Sequence, residues 1–314
     1  MRVRPIVTTI VIFCTLLLWV VFVQTASKTN HAFDCLHRAR SEYQGNMFFE
    51  ILGPDQLLAL ARQACEYYQS NPEAGGDWDN PTFWTGTACD VFIEKYGDSA
   101  LVERLVSIVR DKNEYGMFRA QALLELEHGT ADPRHNLWKQ LSTRELQELK
   151  AACYGALADK SEPSVFRSQA ADCISLGCFH FAGGFDEVDK FAEILSAIVA
   201  DKGEPERLRC EMLWALSRRM KADLHPTDAV RNKLRIELLT VIQDPATPAG
   251  VFFNAFRLVT DLYDIRDIAS PSMIALVESR LALSPKEFKE TATEIVRKLK
   301  QAVPEARKEE EEKH

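Results

Sequence analysis

Three short phrases constrain this chain more than its composition does. Residues 111–119 read DKNEYGMFR, residues 159–167 read DKSEPSVFR and residues 201–209 read DKGEPERLR. Their closing arginines lie 48 and then 42 residues apart. Self-similarity at that period marks stacked helix pairs, each unit burying its apolar face against its neighbours. The segments around the phrases agree. Phe191, Ile194, Leu195, Ile198 and Val199 recur at helical spacing before the third phrase, and Leu208, Met212, Leu213 and Leu216 recur after it. The phrase is therefore the turn between two helices. Pro163 and Pro205 fall where the second helix begins, and proline costs little there because its missing N–H would have no intrahelical partner anyway. Glu162 and Glu204 sit at the positive end of that helix dipole.

Asp and Arg are eight residues apart in every copy: Asp111 with Arg119, Asp159 with Arg167, Asp201 with Arg209. In a stack, the Asp of one unit comes within reach of the Arg of its own or the next, which predicts a structural ladder of charge-assisted hydrogen bonds. Weaker copies extend the array. Asn80-Pro81-Thr82-Phe83-Trp84 reads as a turn and helix start, followed by Ala88 and Val91. Residues 244–253 (DPATPAGVFF) read as a copy with one extra residue, placing Phe253 where Arg would stand. Ser284-Pro285-Lys286-Glu287-Phe288-Lys289 begins another, with Lys289 in the Arg place and an apolar stripe of Ile295, Val296 and Leu299 after it. No strand-like alternation of useful length occurs. The fold expected is all-α, an α-solenoid of about six antiparallel helix pairs across residues 55–303, ending in a charged, disordered tail at 304–314.

These residues resemble HEAT repeats, a family with two antiparallel helices per unit and an Asp and an Arg flanking a proline-containing turn. The resemblance covers most of the chain after about residue 55. Phe253 and Lys289 depart from the Arg column, and the 48-residue gap implies an insertion near His128 to Trp138. What the resemblance implies is a scaffold for protein–protein contacts, with the second helices of the pairs lining the binding face.

The leader is the second informative feature. After a short flank at 1–5 carrying Arg2 and Arg4, residues 6–23 hold no charge and only three hydroxyl side chains, Thr8, Thr9 and Thr15. Eighteen helical residues span about 27 Å, close to the roughly 30 Å hydrocarbon core. A cleaved signal peptide has a shorter apolar stretch and a small-residue cleavage site, and the best site here, Gln24-Thr25-Ala26, lacks a small residue three before the cut. A retained single-pass transmembrane anchor is the favoured reading, and secretion after cleavage is the alternative. Arg2 and Arg4 favour an N-terminus on the cytoplasmic side, although Lys28, Arg38 and Arg40 oppose them. That orientation places the helical body, joined through a linker and first helix at 24–54, outside the cytoplasm.

Charge and motifs exclude several chemistries. The chain has 38 basic and 46 acidic residues, a net charge of −8, and setting aside Arg2, Arg4 and Lys28 makes the body more acidic. A groove tracking nucleic-acid phosphates needs a basic stripe, so no nucleic acid is expected as a partner. Seven cysteines follow the leader: Cys35, Cys65, Cys89, Cys153, Cys173, Cys178 and Cys210. They read as buried thiols within apolar stripes, with Cys65–Cys89 the best pair if a disulfide forms. There is no CxxC, HExxH, GxGxxG, Walker loop or GxSxG. His128, His135 and Asp132 flank the insertion without zinc-site spacing. Carboxylate pairs such as Glu125/Glu127 or Asp186/Glu187 carry no weight in so acidic a chain.

Two loops stand out as partner-binding candidates. One presents Phe179, Phe181 and Phe185 around a Gly-Gly hinge, and the other carries Trp78 between Asp77 and Asp79. Exposed aromatics anchor well in partner pockets. The function expected is a membrane-anchored scaffold that binds protein partners, with no cofactor, metal or catalysis of its own. The alternative is an exported enzyme, or an enzyme's accessory subunit, on the same scaffold.

Overall fold

A computed structural model describes residues 52–70, 81–128, 137–175, 187–221, 226–283 and 286–312. Among them are twelve α-helices and no strand. The helices are α1 (Pro54–Ser70), α2 (Pro81–Tyr96), α3 (Asp98–Arg110), α4 (Gly116–His128), α5 (Thr143–Ala158), α6 (Ser164–Ser175), α7 (Val188–Ala200), α8 (Glu206–Lys221), α9 (Asp228–Gln243), α10 (Ala249–Leu262), α11 (Pro271–Leu283) and α12 (Lys289–Glu312). The expected transmembrane helix at 6–23 lies outside the described residues. No described helix is long and apolar enough to cross a membrane. The described residues fall into two compact units divided between Ala152 and Cys153, within α5.

Local chemistry sets the helix starts. Ser142 precedes α5 and Glu145 follows three residues later, the capping-box spacing. The Ser142 N–H donates to the Glu145 carboxylate (2.8 Å) and the Glu145 N–H donates to the Ser142 hydroxyl (3.2 Å). Ser270 caps α11 by accepting from the Met273 N–H (3.1 Å). α6 and α8 start directly after Pro163 and Pro205, whose carbonyls accept the N–H groups of Arg167 and Arg209 (3.1 Å each). Glu-rich and Lys-rich sequence keeps α12 helical to Glu312, with Pro304 inside it. The segment from 304, expected as a disordered tail, thus continues the last helix, since Glu, Lys, Arg and Ala favour helix.

In the first unit α1 packs on α2 and α3 on α4, while α4 also contacts α1 and α2. Trp84, Phe92, Leu101 and Leu105 are fully buried there. The insertion after α4 returns as a 3-10 turn, Leu137–Gln140, whose Leu137 and Trp138 are buried where it meets α3 and α4. In the second unit the layering is plainer. α7 packs beside α9, forming one layer; α6, α8 and α10 pack side by side in the other. Phe166, Phe191, Phe252, Phe253 and Phe256 fill the space inside this unit.

The second layer closes tightly at Gly250. A Cβ there would stand 2.9 Å from Glu206 Oε1, 3.3 Å from Cys210 Sγ and 3.7 Å from Phe288 Cζ. The Glu206 carboxylate can swing away, but the Cys210 sulfur sits on the packed face of α8. Gly250→Val is therefore expected to cost about 1–3 kcal/mol by overpacking. A urea midpoint unchanged in the full-length variant would show that α8 and α10 separate freely.

Candidate functional site

Four turns repeat one backbone design. The N–H groups of Glu114, Glu162, Glu204 and Thr247 donate to the carbonyls of Asp111, Asp159, Asp201 and Asp244 (3.0–3.2 Å). Each of these Asp side chains accepts the N–H two residues on: Asn113, Ser161, Gly203 and Ala246 (2.8–3.0 Å). Short Asx turns of this kind explain why Asp recurs. The fourth turn fixes the register of the weak copy. Phe252 N donates to Pro248 O as Arg209 N donates to Pro205 O, so Phe252, not Phe253, occupies the Arg place and there is no extra residue.

Arg167 and Arg209 bond to groups other than the Asp side chains of the expected ladder. Arg119 Nε and Arg209 Nε donate to the carbonyls of Val109 (3.1 Å) and Val199 (2.8 Å), and Arg167 Nη2 donates to Leu157 O (3.2 Å). Each carbonyl lies ten residues back, at the C-terminal end of the preceding helix, where the dipole favours a cation. The contacts between successive copies involve other partners. Arg167 forms a two-pronged pair with Glu204, Nη1 to Oε2 at 2.8 Å and Nη2 to Oε1 at 3.0 Å, with both side chains over nine-tenths buried. In the first unit Arg62 of α1 reaches Glu114 of the first turn (2.6 Å). Lys160 pairs with Asp201, and Lys202 with Asp244 at 2.6 Å. These lysine bonds, assisted by the Asx-turn N–H, hold Asp201 and Asp244 below the usual carboxylate range. The Arg209 charge lowers both a little further, so it acts on the two Asp through space and not as a bonded rung. The ladder within the second unit is Lys-to-Asp at its surface and Arg-to-Glu inside.

Where the fourth copy lacks its Arg, a substitute enters. Arg280 of α11 donates to the carbonyls of Thr247 (3.1 Å) and Asp244 (2.7 Å) and lies 5.3 Å from the Phe252 ring centroid.

The loop candidates Phe179, Phe181, Phe185 and Trp78, together with His135 and Asp132, lie outside the described residues, as does the side chain of His128. Cys65, Cys89, Cys153, Cys173 and Cys210 are free thiols. The suggested Cys65–Cys89 bridge is absent, and the Cys65 sulfur faces the Thr85 hydroxyl at 4.0 Å. Burial pushes the Cys65 thiol up to about 12, which leaves it unreactive. No group of three or more His, Cys, Asp or Glu among the described residues is placed to hold a metal ion.

Two features emerge that the sequence did not single out. The first is the outer surface of α8 and α10. Trp214 is 41% exposed, unusual for an indole in this structure, where Trp84 and Trp138 are buried. The Arg257 guanidinium lies over its ring, 4.6 Å from the centroid. Leu213, Ser217, Asn254 and Leu258 complete a shallow pit around the pair. Arg218 ties this surface to Asp172 of α6 by an ion pair. The second is Glu125 on α4, only 5% exposed. Its carboxyl lies over α2, where a Cβ at Gly86 would stand 3.6 Å from Oε1. Burial, reinforced by the nearby Asp90 charge, raises Glu125 to about 8. Against the known proteins compared, the chain matches no family, no curated protein and no solved structure.

Proposed function

We propose that this protein is a HEAT-like α-solenoid of six helix pairs, anchored by residues 6–23 with its helical body outside the cytoplasm, that binds protein partners and has no catalysis of its own. The observation that carries the reading is the layered packing of α6, α8 and α10. Parallel second helices present a continuous row of side chains, a surface suited to extended peptides or helices. The repeated Asp turns and the apolar leader add support. Glu125 favours the alternative of an enzyme or accessory subunit, because a carboxyl held neutral by burial is a common feature of acid–base sites.

The decisive experiment is photo-cross-linking from single positions of the full chain in its native membrane. Partner adducts are expected from Gln169, Trp214 and Asn254 on the second layer, and not from Ile236 on α9. Adducts confined to α9 would sink the reading. Mass spectrometry of the mature N-terminus separates anchor from cleaved leader, since a start near Ser27 removes the anchor.

A further inference from the structure

We propose that the Trp214–Arg257 pair is the anchor of a binding site for an acidic, extended peptide segment of a protein partner. This rests on the reading of the second layer as the binding face and names the chemistry that face selects.

Several arginines on this layer are already bonded. Arg167 is committed to Glu204 and Leu157 O, Arg209 to Val199 O, and Arg218 to Asp172. Arg257 is different. Its guanidinium makes no hydrogen bond or ion pair among the described residues and lies over the Trp214 ring. In a chain of net charge −8, an uncommitted guanidinium is conspicuous, because carboxylates are plentiful. The guanidinium lies over the indole, 4.6 Å from its centroid, on a half-buried side chain whose N–H groups are not used by any other described residue. A guanidinium's fork of N–H donors matches a carboxylate in a two-pronged geometry.

The surroundings fit a peptide better than a lone ion. Half-exposed Trp214 offers apolar area beside the charge, as interface anchors do. Ser217 and Asn254 line the same pit, and Asn254, whose side chain also bonds the Cys210 thiol, offers a polar group to a main-chain amide. Arg207 lies on the same side of α8, seven residues before Trp214 and therefore about 10 Å along the helix; it is exposed and likewise uncommitted among the described residues. An extended chain advances about 3.3 Å per residue, so carboxylates spaced three or more residues apart can address both cations. Arg257 and Arg207 thus favour an acidic partner whose carboxylates sit over the two cations and clear Glu211, which lies on the same face between Arg207 and Trp214.

The test uses the full-length protein and two labelled dodecapeptides, both acetylated and amidated. One repeats Leu-Glu-Ser and the other Leu-Lys-Ser, and binding is read by fluorescence anisotropy at physiological ionic strength. The Glu peptide is expected to bind at least about tenfold more tightly than the Lys peptide, and Arg257→Gln to remove about tenfold of that affinity. Trp214→Ala should weaken it comparably, and Arg257→Lys, which keeps the charge but not the fork, should recover only part. Each variant is checked for an unchanged urea midpoint. Should Trp214→Ala disturb the fold, the Gln and Lys variants at 257 still decide. Equal affinity for the two peptides, or wild-type binding by Arg257→Gln, overturns the proposal. So does displacement of the Glu peptide by an equal concentration of inorganic phosphate, which would make the pair a free-anion site. Partner adducts elsewhere on the second layer, with no Arg257 dependence, would refute this anchor while leaving the scaffold reading standing. Adducts confined to α9 would remove both.

Discussion

Arg167→Ala is expected to destabilise the second unit by about 3–5 kcal/mol, because it leaves Glu204 charged, buried and without its partner. The two-pronged pair spans two copies of the repeat at 2.8 and 3.0 Å. Its side chains are 3% and 7% exposed, so little water can replace the lost guanidinium. The same substitution also frees the Leu157 carbonyl at the end of α5. Glu204→Ala should cost a similar amount by stranding Arg167. The informative comparison is Arg167→Met with Glu204→Leu together. Removing both charges leaves neither stranded, and apolar replacements of buried pairs are often neutral or better. The double variant should therefore lie near wild type while each single alanine variant lies far below it. Urea unfolding by far-UV circular dichroism, with hydrogen exchange across α6 and α8, reads this out. A loss under about 1 kcal/mol for Arg167→Ala would place the pair among ordinary surface contacts. Lys160 and Lys202 supply the contrast: their side chains are 70% exposed, and replacing either with alanine should leave the midpoint where it is.

The second large effect depends on pH. Glu125 is raised in the folded protein to about 8 from an ordinary 4.5, first by burial and then by the Asp90 charge. The folded state therefore holds a proton that the unfolded chain releases above about pH 4.5. The stability linked to this proton is complete below that pH. It declines as pH rises towards 8 and levels off once Glu125 is ionised in both states. The decline should be on the order of 1 kcal/mol per pH unit across the window. Glu125→Gln cannot ionise, so its stability difference from wild type should grow between pH 5 and 8 in favour of the variant. Depressed carboxylates such as Asp201, Asp244 and Asp264 act at lower pH and in the opposite direction, and they cancel in the comparison. Parallel stability curves for wild type and Glu125→Gln would mean that the carboxyl is solvated after all.

The helix pairs were readable because their signals are local. Proline at a helix start, Asp at an Asx turn and apolar residues at 3.6 spacing each report on a few neighbours in sequence. The register of the weak fourth copy was also present in the sequence: counting from Pro248, as from Pro163 and Pro205, gives Phe252 directly. The partners of the charged residues were not readable. Whether Arg167 meets Asp201 or Glu204 depends on the sideways offset of α6 and α8, which no spacing within one copy encodes. Trp214 lay in plain view beside the stripe of Leu208, Met212, Leu213 and Leu216, and helical geometry turns it about 100° from Leu213. Glu125 offered no such clue. Its burial depends on a glycine at 86, from a different helix, and one carboxylate among 46 acidic residues looks like any other.

The crossing between copies bears on how such an array can lengthen or shorten. A turn in the second unit is not self-sufficient: copy two contributes a buried cation that only copy three neutralises. Duplicating or deleting a helix pair at that junction is tolerable only if the new neighbours hand over the matching charge. The fourth turn, with Thr247 and Phe252 in place of Glu and Arg, has dropped out of this exchange and borrows Arg280 from α11. Copy number is thus constrained inside the array and relaxed at its fourth turn, where a change of length breaks the surface pair of Lys202 and Asp244 but strands no buried ion.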